Sequence, residues 1–269
     1  MTAGALIRAW LLGPLALLAA LLLAGRIAPA PPARFHGAEL AVIGSSLSAH
    51  ALPENGAGAL RHWRVGIALP AESQLLDLID SAVGERPRMI LVEANPLVSG
   101  FAFDPRRHGC TPPAGTLRLA VKQAQVGAVD ALRRLFGQRT SLEGIGEPAG
   151  LDRPQAIDQA LVRSSYPLAI HPPCDEPRLR AAVQRAAERG TRVALVLMPR
   201  APAGERALGP AQSRAVRAEA EALAARLGVE LFVPAGPWSD DLFTDHAHLN
   251  AKGRTRFAAA LDPWLEARR

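Results

Sequence analysis

Five short apolar runs, separated by stretches with helical spacing, constrain this chain more than any other feature. They are Glu39–Ile43, Trp63–Leu69, Met89–Val92 within Arg88–Ala94, Val193–Leu197 within Arg192–Met198, and Val229–Val233. Runs of this length bounded by Gly or Pro read as buried strands. Between them, Ser73–Val83 carries Leu75, Leu76, Leu78, Ile79 and Val83 at helical spacing. Pro177–Arg189 ends at Gly190 and Gln212–Leu227 ends at Gly228, the usual C-terminal stop. Further helices are expected from Leu47, over Thr116–Phe136 and over Ala251–Ala267. Strands without polar alternation, joined by amphipathic helices, imply βαβ units and a mostly parallel sheet covered on both faces. Residues 100–176 show no apolar strand run and read as an insertion in a domain spanning residues 38–269.

The first thirty residues have a different character. Arg8 precedes an apolar run from Ala9 to Gly25, broken only by Gly13 and Pro14. Its length is at the lower edge for a spanning helix, which typically needs about 20 residues. Ala28-Pro29-Ala30 has the small-x-small form of a signal-peptide cleavage site, but Pro31 follows it directly. The expectation is an uncleaved N-terminal membrane anchor over residues 1–30, with a removed leader as the alternative, a stiff Pro/Ala linker over 31–37, and an exported domain. In an oxidising compartment Cys110 and Cys174, each in a Pro-rich loop, are candidates for a disulfide.

Composition excludes several classes. With 2 cysteines in 269 residues the chain is neither a disulfide-dense scaffold nor a four-thiolate zinc module. The net charge of +6 comes from arginines interleaved with acids, and aromatics make up 4%. Nucleic-acid binding calls for a clustered basic stripe or stacking platforms, so no nucleic-acid partner is expected. No phosphate-cradling Gly-rich loop is present, and no cofactor is implied.

In an open α/β sheet, sites form beyond the carboxyl ends of the strands. Gly44-Ser45-Ser46-Leu47-Ser48 follows the first strand. A serine there is placed to act as a nucleophile, and it is equally what a helix N-cap needs. Asn95 follows the third strand, as an oxyanion donor or a turn residue before Pro96. Asp245 and His248 stand just before the last helix. Their spacing lets a carboxylate hold one ring nitrogen while the other faces a hydroxyl. Asp245, His246 and His248 are also metal-ligand types, but no His-Glu-x-x-His helix or second cluster supports a metal. Ser45 and Ser48 are rival nucleophiles; His50 and His246 are rival bases.

Together these segments resemble the SGNH (GDSL-type) hydrolases over residues 38–98 and 190–265. Asp245-His246-Ala247-His248-Leu249-Asn250-Ala251-Lys252-Gly253 is similar to that family's closing Asp-x-x-His-Leu-x-x-x-Gly block. The resemblance implies a three-layer α/β/α sandwich with a flavodoxin-like parallel sheet. It implies Ser46 as nucleophile, His248 as general base and Asp245 as its orienting partner. The Ser46 N–H, the Ala71 N–H and the Asn95 side chain would be the oxyanion donors. Three positions depart from the family blocks. Ser45 stands where Asp is common, and Ala71 replaces a Gly. In Glu93-Ala94-Asn95-Pro96 only the Asn of Gly-x-Asn-Asp remains.

Membrane-anchored exported members of that family are similar to factors that add or remove acyl groups on envelope glycans. The expectation is an esterase or O-acyltransferase acting through an acyl-serine on envelope polysaccharide, at the cytoplasmic membrane and facing outward. Its partners would be an ester-bearing glycan or acyl donor and a membrane-bound O-acyltransferase. A non-catalytic assembly or glycan-binding subunit is the alternative. A lipase-like or thioesterase activity on small esters is a third reading.

Overall fold

The computed structural model describes residues 37–52, 62–67, 72–101, 157–166 and 168–268. All of them belong to a unit made of residues 32–112 and 142–269; the second unit, residues 1–31 and 113–141, lies outside the described residues. The expected anchor, most of the linker, the Thr116–Phe136 helix, Ala71 and Cys110 also lie outside them. Among the described residues, no helix is long and apolar enough to cross a membrane.

Seven strands are present among the described residues: β1 (Leu40–Ser45), β2 (His62–Ile67), β3 (Met89–Glu93), β4 (Ser99–Phe101), β5 (Leu168–Ile170), β6 (Arg192–Val196) and β7 (Glu230–Phe232). Five form one sheet in the order β2-β1-β3-β6-β7, and each neighbouring pair is parallel. The helices are α1 (Ser46–Ala49), α2 (Glu72–Glu85), α3 (Asn95–Val98), α4 (Gln159–Ser165), α5 (Glu176–Glu188), α6 (Pro202–Leu227) and α7 (Ala251–Glu266).

The strand residues alternate between two cores. Ala41, Ile43, Ile90, Val92 and Leu195 pack with Leu75 and Ile79 of α2, Leu179 of α5, and Val216 and Leu223 of α6. Leu40, Val42, Met89, Leu91, Ala194 and Val196 face the other way, onto Phe257, Leu261 and Leu265 of α7. This is why β1, β3 and β6 read as unbroken apolar runs: both their faces are covered. The result is a mixed α/β fold with helices on both sides of a parallel sheet, as expected. Burying side chains of this size contributes roughly 1.5–3 kcal/mol each.

Two expectations need correction. The region 100–176 is not free of strands: β5 pairs antiparallel with β4, Leu168 opposite Phe101 and Ile170 opposite Ser99. Ser99-Gly100-Phe101 carries too little apolar pattern to register as a run. The helix expected over Gln212–Leu227 is present, but a further helical segment from Pro202, not expected from the sequence, precedes it. Its backbone leaves helical geometry at Gly209 (φ 80°, ψ 154°), and Pro210 opens the second segment. The chain breaks and resumes there.

The order of the sheet locates the site. From β1 the chain moves outward to β2, then returns to β3 on the other side of β1. The carboxyl ends of β1 and β3 therefore flank the point where the winding reverses, the usual place for a ligand crevice in such sheets.

Candidate active site

Ser46 is the first residue of α1, directly after β1. Ser45 caps that short helix, its Oγ accepting the Leu47 N–H at 3.1 Å. The turn is tight because Gly44 lies against Glu93: a Cβ at Gly44 would sit 2.4 Å from the Glu93 Cβ and 2.4 Å from the Ser48 Oγ. Only a residue without a side chain lets the two strand ends approach this closely.

His248 comes from the other end of the chain, on the loop after β7. Phe243 and Leu249, each 1% exposed, anchor that loop in the α7-side core and bridge to one another. Asn250 caps α7, its Oδ1 accepting the Gly253 N–H at 3.0 Å, while its Nδ2 donates to the Asp241 carbonyl at 2.7 Å. The Ala201 N–H donates to the His246 carbonyl at 3.1 Å and ties the loop to the chain leaving β6.

Within this loop the Asp245 Oδ1 accepts the backbone N–H groups of Ala247 and His248, both at 2.8 Å. Its Oδ2 lies 2.8 Å from His248 Nδ1. On the other side of the ring, Nε2 lies 2.8 Å from the Ser46 Oγ. Burial alone would raise the Asp245 carboxyl; the hydrogen bonds and charge of His248, with the backbone donors, outweigh it and hold the group well below the usual carboxylate range. An ionised carboxylate only accepts, so Nδ1 carries the ring proton and Nε2 is the acceptor facing Ser46.

Asn95 starts α3 just beyond β3 and is 6% exposed. Its Oδ1 accepts the Met198 N–H at 2.8 Å, which orients the amide. Its Nδ2 is buried with no hydrogen-bond partner among the described residues. A buried donor without an acceptor is costly unless something else accepts from it.

The rival residues have other partners. Ser45 donates its hydroxyl to Glu93, at 2.7 Å to Oε1. Ser48, 1% exposed, donates to the Ser45 carbonyl at 3.2 Å. The buried His50 ring packs edge-on against the His248 ring, with centroids 5.9 Å apart. His246 packs edge-on against Tyr166 at the same centroid distance, and burial pushes its pKa down. Cys174 is half-buried, its N–H donating to Glu72 Oε2 at 2.7 Å. Among the described residues, no group of three or more His, Cys, Asp or Glu side chains is arranged to hold a metal ion.

Sequence reasoning did not find Glu93. It ends β3 with no exposed surface and reaches the turn that carries Ser46. The available signal was a lone acid closing the apolar run Met89–Val92, since glutamate is almost never fully buried without partners.

No protein-family model matches the sequence, and no curated protein matches it. Among solved structures, the chain is similar to a GDSL-like lipase from Bacteroides thetaiotaomicron, at 12% identity over 86% of this chain and 88% of that one, with a TM-score of 0.41. It is also similar to a carbohydrate acetylesterase from Sinorhizobium meliloti, at 14% identity over 86% of this chain and 99% of that one, with a TM-score of 0.39.

Proposed function

We propose that this chain is a serine-dependent carboxylic ester hydrolase or O-acyltransferase of the SGNH type. One observation carries the proposal: the His248 ring bridges the Ser46 Oγ and the Asp245 Oδ2 with 2.8 Å on each side. A hydroxyl, an imidazole and a carboxylate in that relay are the parts acyl transfer through serine requires.

His248 Nε2 takes the Ser46 proton as Oγ attacks the ester carbonyl carbon. The carbonyl oxygen becomes an oxyanion and accepts from the Asn95 Nδ2 and the Ser46 N–H. The intermediate collapses, the alcohol leaves with the proton from His248, and the acyl group stays on Ser46. Water then releases the acid, or a sugar hydroxyl takes the acyl group; His248 activates either one. Asp245 fixes the tautomer and stabilises the imidazolium that forms in each half-reaction.

The apolar run Ala9–Gly25 and the Pro/Ala linker support an exported domain anchored at the cytoplasmic membrane. An ester-bearing envelope polysaccharide or an acyl donor is the substrate such a domain would meet. A membrane-bound O-acyltransferase is the partner that would supply the acyl group.

The test is turnover of p-nitrophenyl acetate and fluorophosphonate labelling of the purified full-length protein, with the label mapped by peptide mass spectrometry. Label on Ser46 and activity lost in Ser46→Ala are the expected results. A label on Ser45, or full labelling of Ser46→Ala, overturns the assignment. Absence of both turnover and label favours the assembly or glycan-binding subunit. Adding acetylated and deacetylated envelope glycan separates hydrolysis from transfer.

A further inference from the structure

Glu93 is a fully buried carboxylate that the acyl-transfer steps leave unused. Its Oε2 accepts the Ser45 N–H at 2.7 Å and the Ser48 N–H at 3.2 Å. The Ser45 hydroxyl donates to both carboxylate oxygens, at 2.7 and 2.9 Å. A hydroxyl has one proton to give, so by donating to Glu93 the Ser45 Oγ turns its lone pairs toward the Leu47 N–H. One carboxylate thus fixes the residue before Ser46 directly, the residue after it through Ser45, and the residue two further on directly.

The rest of β3 shows that the sheet itself has no need of this group. Met89, Ile90, Leu91 and Val92 are buried and apolar, and an apolar residue would continue that pattern without a desolvation cost. Burial pushes the Glu93 carboxyl up, against the hydrogen bonds from Ser45 and Ser48. The Ser45 N–H, the Ser48 N–H and the Ser45 hydroxyl all point at it. A buried polar network in which every donor is matched is rigid, and rigidity is what a nucleophile held for a distant base requires.

We propose that Glu93 is a positioning residue for the nucleophile: through Ser45 and Ser48 it holds the Gly44–Ser48 turn so that the Ser46 Oγ stays within reach of His248 Nε2. This rests on the serine-esterase reading of the site. It extends that reading to a residue outside the relay, placed two positions before Asn95 on the same strand end. The β3 terminus then sets both the attacking atom, through Glu93, and the oxyanion donor, through Asn95.

The experiment compares full-length wild type with Glu93→Gln and Glu93→Asp. It measures kcat and KM on p-nitrophenyl acetate, fluorophosphonate labelling rate, melting temperature, and amide exchange of the peptide spanning residues 44–48. Gln has the shape of Glu but presents an amide N–H₂ to groups that already donate. Expected for Glu93→Gln is a fall of about 10²-fold in kcat and labelling rate at temperatures where the variant stays folded, with KM little changed and a lowered melting temperature from the mismatched buried amide. Faster exchange in the 44–48 peptide should accompany it, and Glu93→Asp should recover part of the rate. Wild-type kcat and wild-type exchange in Glu93→Gln overturn the proposal, as does a lower melting temperature with kcat per labelled molecule unchanged. A wild type that neither labels nor turns over overturns the esterase reading, and the exchange comparison then decides the Glu93 tether separately. If Glu93→Gln does not fold, Ser45→Ala carries the same comparison, because it removes the hydroxyl link while leaving the carboxylate.

Discussion

His248 Nε2 stands 2.8 Å from the Ser46 Oγ although 202 positions separate the two residues in the chain. Neither side of this contact is built locally. Ser46 is delivered by the end of β1, and His248 by a loop anchored on the Phe243–Leu249 bridge and the Asn250 cap of α7. The parallel sheet brings both to its carboxyl edge, so the contact depends on the whole five-stranded order rather than on either segment.

Ser46→Ala and His248→Ala should each lower kcat for ester hydrolysis by about 10⁴-fold or more, because one missing member disables the relay. The double variant should be little worse than either single one. Steady-state turnover of p-nitrophenyl acetate checks this. If the two losses multiply, Ser46 and His248 do not act as one unit.

Asn95→Ala should lower kcat by about 10²–10³-fold with KM little changed, the usual cost of losing one oxyanion donor. It also removes the Oδ1 that accepts the Met198 N–H, so a stability loss of about 1–3 kcal/mol is expected in urea titration. The two effects separate in Asn95→Asp, which keeps an oxygen for Met198 but has no N–H to give to the oxyanion. That variant should lose activity to a similar degree. Retained activity in Asn95→Asp would remove Asn95 from the oxyanion site.

The parts of this fold that were legible in sequence are those whose physics is local. β1, β3 and β6 show as apolar runs because both their faces are buried, and α5 and the second half of α6 show through helical spacing and a closing glycine. Ser46, Asn95, Asp245 and His248 stand out in the sequence because each follows a strand or precedes a helix. The β4–β5 pair was not legible, since Ser99-Gly100-Phe101 has no pattern of its own until Leu168–Ile170 lies beside it. The Glu93–Ser45 contact spans 48 positions and was equally hidden. In sequence, Ser45 and Glu93 show no relation to one another; in the fold they are hydrogen-bonded.

Asp245 carries a pH signature. Its folded pKa is held below the ordinary carboxylate value, so the unfolded chain binds more protons once pH falls below about 4. Its contribution is therefore complete at neutral pH and is lost as pH falls through the folded value. Wild type should exceed Asp245→Asn in unfolding free energy at pH 7, and the gap should narrow by pH 3. Urea titrations at both pH values measure it. At neutral pH Asp245→Asn should also lower kcat by about 10⁴-fold, because Asn can hold the ring in the wrong tautomer. A stability gap that is constant with pH would mean that folding does not hold Asp245 ionised.

Gly44→Ala tests the close approach of β1 and β3 under the nucleophile. The new Cβ would meet the Glu93 Cβ at 2.4 Å and the Glu93 Oε2 at 2.5 Å, far inside van der Waals contact. Neither partner has room to retreat: Glu93 has no exposed surface, and its oxygens are held by Ser45 and Ser48. Relief must come from moving the turn or the strand, and overpacking of this kind costs about 1–3 kcal/mol. The shift falls on the residues that place Ser46, so the loss of fluorophosphonate labelling should exceed what the stability loss explains. Labelling rates measured well below the melting temperature, beside urea titrations, separate the two. A Gly44→Ala protein that is destabilised yet labels at the wild-type rate would show that the turn tolerates displacement, and that the Ser46–His248 distance is set elsewhere.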